Sequence, residues 1–218
     1  MAPVEDKRLA ILDAAASVFM RLGFAATSLD DISEALGATK GTLYYHFRSK
    51  TSLFFAVQRR AMELLQAAIE PLAHSDGNAR DRLESMAFAH SKLMMEDIGY
   101  LRVAGQGLEL HLSVRTSQAE RIELDAITEL RDAHERLYIE VIADGVARGE
   151  FRDVDPRIVV KPLFGALNWT SRWYQPRDNE TAQDRAALAG EIARFAVHAF
   201  LPAVESDVLI AHSEVSRA

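Results

Sequence analysis

The sequence predicts an all-α protein on three observations. Apolar residues recur at spacings of three and four from Lys7 to Leu201, the period of amphipathic helices. No stretch alternates polar and apolar residues as a half-buried strand does. The breaks carry helix-ending chemistry: Gly23, Gly37, His74-Ser75-Asp76-Gly77-Asn78, the 149–156 segment ending in Pro156, and Pro176–Glu180.

The first helix is expected over Lys7–Leu22. Leu9, Leu12, Ala16 and Phe19 form its apolar stripe, and Ile11, Ala15, Val18 and Leu22 widen it before Gly23 ends it. Thr27 or Ser28 then caps a short second helix, with Asp30 or Asp31 three residues on in a capping-box pattern. Its residues Leu29, Ile32 and Leu36 face inward. A serine at a helix start also has its hydroxyl and nearby amides placed to receive a phosphate, so Ser28 carries both readings.

The stretch Gly37–Lys50, GATKGTLYYHFRSK, organises the chain. Gly37 suits the left-handed residue after a helix. Thr39 offers an N-cap oxygen for a further short helix, and two helices joined by a tight Gly-containing turn make a helix-turn-helix. The residues Thr39–His46 span ~12 Å, a length the DNA major groove admits. At ~100° per residue, Leu43 and Phe47 share the inner face and Gly41 and Tyr45 lie opposite. Tyr44 and His46 flank them, with Lys40 and Thr42 near the N-terminal end. An exposed helical glycine costs ~1 kcal/mol against alanine, so Gly41 calls for a close-approaching partner. Thr42, the two tyrosines and His46 supply donors for phosphate oxygens, and Arg48 and Lys50 follow.

Charge agrees with that placement. The 218 residues carry a net charge of −7, yet residues 35–62 hold Lys40, Arg48, Lys50, Arg59 and Arg60 with no acid. A basic patch on an acidic body predicts local binding of nucleic acid in place of wrapping. Cysteine is absent, which removes disulfides, thiol catalysis and the best zinc ligand. No uncharged run exceeds ten residues and the N-terminus has no apolar leader core, so neither a transmembrane helix nor a signal peptide is expected. These features fit a cytoplasmic protein.

The series Phe19, Gly23, Phe24, Thr27, Ser28, Ile32, Gly37, Gly41, Thr42, Leu43, Tyr44, Tyr45, His46, Phe47, Lys50 and Leu53 resembles, in identity and spacing, the DNA-binding domain of TetR-type bacterial transcriptional repressors. The likeness covers roughly residues 5–65. Ala38 and Thr39 stand where that family commonly has valine and serine. The resemblance implies a homodimer reading a palindromic operator, one helix-turn-helix per half-site. It places Ser28, Tyr44 or Tyr45, His46 and Lys50 near phosphates, and Lys40, Gly41 and Tyr44 near base edges.

Thr51–Leu72 reads as a fourth helix leading from this unit into the body, with Pro71 breaking it. Further helices are expected over Arg80–Asp97, Tyr100–His111, Ser117–Arg148, Arg157–Tyr174 (Pro156 at its first position) and Ala182–Leu201. The expected domains are therefore a DNA-binding unit at 5–65, a ligand-binding and dimerisation body at 66–204 and a tail at 205–218. Paired amphipathic helices at the end of the body, with an apolar excess at Phe195, Phe200, Trp173 and Tyr174, predict the dimer face, the competing reading being plain packing within one protomer.

Within LFGALNWTSRWYQP, Trp169 and Trp173 are four apart, as are Asn168 and Arg172. One helix face thus presents an aromatic pair with an amide and a guanidinium, able to stack an adenine ring and hold a phosphate. The same tryptophans also fit as core or interface fillers. This segment, with GEFRDVDP before it, is similar to the C-terminal part of TetR-type repressors that answer acyl-CoA thioesters in fatty-acid or steroid-ring catabolism, which implies such an effector; another apolar small molecule is the alternative. His90, His111 and His134 sit on helices with apolar neighbours. They read as satisfied pocket or core histidines, His134 being a candidate effector contact, and their spacing makes no metal site. No cofactor is expected. With no GxSxG, HExxH, phosphate-cradling glycine loop or cysteine nucleophile, no enzyme is predicted. An all-α acyl or lipid carrier would account for the ligand end and leave the 35–62 segment without a role.

Overall fold

A computed structural model describes the backbone of residues 2–111 and 117–202 and the side chains of residues 6–105 and 117–202. Among the described residues every regular element is helical: α1 (Ala2–Ala26), α2 (Leu29–Leu36), α3 (Lys40–His46), α4 (Lys50–Ala73), α5 (Ala79–Glu96), α6 (Ile98–His111), α7 (Gln118–Ala147), α8 (Pro156–Trp173) and α9 (Ala182–His198).

Local chemistry sets most of the starts. Ser28, Ser49, Ser117 and Thr181 each close a capping box with the residue three positions on. Asn78 and Asp155 cap α5 and α8 through single side-chain acceptors, and Pro156 opens α8. Two glycines shape the ends of the first helices. Gly37 ends α2 with φ 65° and ψ 34°, and Gly23, at φ 76° and ψ 163°, interrupts α1 near its end.

One core fills the space between α1, α2, α3 and α4. Phe19 and Phe54 meet edge to face at 5.1 Å, Phe24 adds a ring 4.7 Å from Phe54, and Ile32 and Leu43 are fully buried beside them. Truncating Phe54 to alanine would cost about 3–5 kcal/mol at such a site. This core does not stop at the end of the N-terminal helices. Met94 of α5, Tyr100, Leu101, Val103 and Ala104 of α6, and Ile127 of α7 belong to it. A second core gathers Ile69 of α4, Leu83 and Met86 of α5, Tyr138 and Ile142 of α7, Val160 and Leu167 of α8, and Phe200. The helices α4, α5 and α7 thus run through both.

Several expectations are corrected. Leu9 and Leu22 are exposed, one at the margin of the α1 stripe and the other in the last turn before Gly23. Pro71 does not break α4, which continues to Ala73. Near the helix end its missing N–H removes one ladder bond, and buried Ile69 and Ala73 hold the turn in place. On α9 the spacing of three and four aligns Leu188, Ile192, Phe195 and Ala199, but the buried stripe is Ala189, Ala193, Ala196 and Val197, and Phe195 is 76% exposed. Phe200 and Tyr174 are buried within the protomer, so they are no part of an outer apolar face. Tyr174 packs with Met95 and Ala189, and its hydroxyl donates to Glu180.

Only α1 is long and apolar enough, over Asp6–Ala26 with a mean hydropathy of 1.6, to match a membrane span by length and composition among the described residues. The uncharged-run criterion missed it, because Asp13 and Arg21 divide the segment. Here its apolar face is spent on the first core through Ile11, Ala15, Val18 and Phe19.

Candidate DNA-reading surface and interior cavity

The helix-turn-helix is α2, the turn 37–39, and α3. Leu43 is fully buried and Phe47 is 5% exposed, anchoring α3, while Tyr45 is 80% exposed and Tyr44 54%. That ranking follows the angular arrangement read from the sequence. His46 lies edge to face with Tyr45 at 5.0 Å. A Cβ on Gly41 would meet no atom nearer than the Thr39 hydroxyl at 3.6 Å. Nothing inside the protomer requires glycine there, so any steric reason for it lies outside.

The termini of these helices meet one expectation and differ from two. Thr39 occupies the N-cap position of α3 but makes no side-chain cap bond; its hydroxyl sits 3.2 Å from that of Thr42. Of the two candidates read from the sequence, Ser28 caps α2 and closes the box with Asp31. Its amide and hydroxyl both donate to the Asp31 carboxylate at 2.7 Å, and those bonds hold the Asp31 carboxyl below its ordinary range. Thr27 donates instead to the Gly23 carbonyl.

The second difference concerns Lys50, expected near phosphate. Its ammonium donates to the carbonyls of Phe24, Ala25 and Thr27 at 2.8, 3.3 and 2.7 Å and lies 4.6 Å from the Phe24 ring centre. These are carbonyls of the last turn of α1 and the link to α2, and a cation there also meets the negative end of the helix dipole. In this structure Lys50 is a brace between α4 and the start of the helix-turn-helix.

The basic patch is also smaller in space than along the chain. Lys40 pairs with Asp30 of α2 at 2.5 Å, Arg59 pairs with Glu123 of α7, and Arg60 lies 3.9 Å from Glu63. Arg48 is exposed.

A cavity of about 550 Å³ opens within the body, between α4, α5, α6, α7 and α8. Met62, Leu65, Met94, Leu101 and Phe164 supply apolar wall, and Arg131, Lys161 and Arg172 supply cations. The Glu135 carboxylate accepts from Lys161 at 2.6 and 2.8 Å. The dimensions are those of a small-molecule site. Of the effector residues read from the sequence, His134, Asn168, Trp169 and Arg172 line this cavity. Trp173 does not; it is turned out of the wall, edge to face with Tyr174. Trp169 is 63% exposed at the rim.

Two buried histidines of the body differ sharply. His90 has Tyr138 Oη at 3.1 Å from Nδ1 and Asn168 Oδ1 at 3.0 Å from Nε2, as expected of a satisfied core group. His134 is 3% exposed and neither ring nitrogen has a hydrogen-bond partner among the described residues, against the expectation that it would be satisfied. Burial pushes both downward, His90 to about 4 and His134 to about 3, with the His90 ring also acting on His134. Both are therefore neutral at ordinary pH. The side chain of His111 lies outside the described residues. Among those described, no group of three or more ligating side chains could hold a metal ion.

Sequence reasoning passed over Arg131 and Gln58. The Arg131 guanidinium donates to Ala104 O at 2.9 Å and reaches Gln58 Oε1 at 3.5 Å; Gln58 is fully buried on α4. The signal was present, since Gln58 interrupts the apolar run Phe54, Ala61, Leu65, and Arg131 lies three residues before His134 on the same helix face. Arg102 is a similar omission: it donates to the carbonyls of Ser171 and Tyr174, tying α6 to the end of α8.

Comparison with known proteins bears on this arrangement. The family described as bacterial regulatory proteins, tetR family, matches residues 11–57, and the tetracyclin repressor-like, C-terminal domain matches residues 76–199. The HTH-type transcriptional repressor KstR2 of Mycobacterium tuberculosis is 26% identical over 190 residues, covering 83% of this chain and 87% of the relative. The crystal structure of the TetR family regulator PfmR from Thermus thermophilus superposes with a TM-score of 0.73 at 28% identity, covering 86% of this chain and 97% of that one. AibR in complex with isovaleryl coenzyme A and operator DNA shares the fold at a TM-score of 0.68 and 22% identity, over 85% and 97% of the two chains. With a helix-turn-helix at its head and a repressor-type helical body behind it, the chain belongs to the TetR family of bacterial transcriptional regulators.

Proposed function

We propose that this regulator is a cytoplasmic homodimeric repressor that binds a palindromic operator and is released by a small apolar effector, an acyl-CoA thioester of fatty-acid or steroid catabolism. The carrying observation is the cavity. It is apolar within, bears Arg131, Lys161 and Arg172 on its wall, and lies directly against α4, whose first residue braces the helix-turn-helix. An acyl group suits the apolar interior, and the anionic nucleotide suits the cations, with Trp169 at the rim for stacking. KstR2 of M. tuberculosis being a repressor, and AibR having been solved with a coenzyme A ester and operator DNA, support the same reading.

In this reading DNA contacts come from Ser28, Thr39, Lys40, Gly41, Thr42, Tyr44, Tyr45 and His46. Dimerisation uses the outer face of α8 and α9, where Ile158 and Phe195 are exposed beside a groove of about 590 Å³. The release route runs through Arg131. A ligand anion competing for its guanidinium draws it from Gln58 of α4, and a shift of α4 changes the spacing of two recognition helices that must meet half-sites one DNA turn apart.

The test is fluorescence anisotropy on DNA upstream of the gene at two salt concentrations, with and without acyl-CoA thioesters. Tight, salt-steep binding abolished by a thioester is the expected result. Specific binding that no thioester alters would discard the effector class and retain the repressor, and absence of specific binding would remove the operator reading.

A further inference from the structure

We propose that His134 is the polar anchor for the buried part of the ligand, and that the effector therefore carries an uncharged oxygen, a carbonyl or a hydroxyl, within its apolar body. This rests on the reading of the cavity as the effector site.

The argument starts from the unequal treatment of two neighbouring rings. His90 and His134 lie 5.5 Å apart between α5 and α7, yet the first has both nitrogens partnered and the second has neither. His134 is not loosely held. Phe164 stacks on it at 5.6 Å and 14°, and Tyr138 meets it edge-on at 5.3 Å. Its ring lines the cavity with its plane fixed by packing, and both nitrogens are shielded from solvent and lack a partner.

A buried donor and acceptor without partners are costly, and a ligand that supplies the partners recovers that cost. Neutral imidazole presents one N–H and one lone pair. A carbonyl oxygen satisfies the first; a hydroxyl can satisfy either. A carboxylate or phosphate is better served by Arg131, Lys161 and Arg172, which are elsewhere on the same wall. Burial and the neighbouring His90 keep His134 uncharged, so it has no charge to offer an anion. A purely hydrocarbon acyl tail has no polar atom to offer and would leave both nitrogens unpaired. The site therefore favours an oxygenated tail over a saturated one.

The experiment titrates the whole protein, by calorimetry, with cyclohexanecarbonyl-CoA and 4-oxocyclohexanecarbonyl-CoA, and separately with octanoyl-CoA and 7-hydroxyoctanoyl-CoA. At least one oxygenated ester should bind about 10- to 100-fold more tightly than its saturated counterpart. In His134→Phe, which keeps a ring against Phe164 but offers no hydrogen bond, that preference should fall to about 2-fold or less. His134→Gln, retaining a donor and an acceptor, should recover part of it. Equal affinities in the wild type, or a preference that survives His134→Phe, would overturn the proposal. Cyclohexanone and cyclohexane, which have no thioester, are followed by nitrogen NMR of the histidine rings. A His134 response to the ketone alone, with no CoA ester binding, would sink the coenzyme reading and leave the anchor standing. No response to either would sink the anchor.

Discussion

Replacing Lys50 separates two physical roles that look alike in sequence. Lys50→Met keeps an unbranched side chain of similar length but removes the ammonium that lies 4.6 Å from the Phe24 ring centre and donates to the carbonyls of Phe24, Ala25 and Thr27. Hydrogen bonds to charged groups contribute about 1.5–3 kcal/mol each when buried, and this ammonium is only partly so; a total loss of about 2–3 kcal/mol is the expectation. For a chain of this length that lowers Tm by about 4–12 °C. With the start of α2 no longer tied to α4, operator affinity should fall by about tenfold. The slope of log K against log salt should stay unchanged, because no phosphate contact is lost. A lysine that touched phosphate would behave oppositely: stability would hold, and the slope would fall by about 0.9 per contact, or about 1.8 for a two-fold pair. Lys50→Arg sharpens the comparison. A guanidinium retains charge for phosphate but does not fit three converging carbonyls, so it should lose stability and keep the slope. Thermal melts alongside anisotropy at two salt concentrations read both quantities. A stable Lys50→Met protein with a reduced slope would refute the brace.

Four further outcomes follow from the same geometry. Tyr45→Ala removes the most exposed ring of α3 and should cut operator affinity at least tenfold, by anisotropy, while denaturant midpoints move by no more than about 0.5 kcal/mol. Gly145→Ala places a methyl inside the ring of Phe151 and close to Ala79, at a buried position of α7; urea unfolding should show a loss of about 2–3 kcal/mol. His90 and His134 have folded-state values near 4 and 3 against an ordinary 6.5, so the unfolded chain binds more protons in between. Their contribution is fully present above pH 6.5 and is lost as pH falls towards 4, costing about 3–4 kcal/mol together between pH 7 and pH 5; urea titrations at both pH values measure it. Phe195→Glu puts a charge on the exposed face of α9 and should yield monomers in sedimentation velocity with the helical content of the parent, whereas an unchanged species would locate the dimer face elsewhere.

Helix positions and the helix-turn-helix were legible because their signals are local. Periodicity, helix-start residues and turn glycines act within four or five positions, so Ser117, Pro156 and Gly37 could be read directly. What failed depended on contacts distant in sequence. The charge patch of residues 35–62 lost Lys40 to Asp30 and Arg59 to Glu123, partners that counting along the chain assigns to other segments. Lys50 found its carbonyls more than twenty residues upstream. Tyr174 and Phe200 were counted as surface because the helices they end on are amphipathic, whereas each turns inward at the helix end. His134 illustrates the inverse case: apolar spacing correctly predicted its burial, but burial alone says nothing about whether its nitrogens find partners.

The first core is assembled from both sides of residue 65, and that constrains how such proteins can be recombined. A crossover there would deliver a DNA-reading head whose floor, Met94, Leu101, Val103 and Ile127, stays behind with the donor body. The transplanted head would then rest on side chains that never adjusted to it. A crossover carrying α6 along with α1–α4 transfers most of that floor intact. Exchange of operator preference between relatives is therefore easier by rewriting a few exposed residues of α3 than by swapping the head whole.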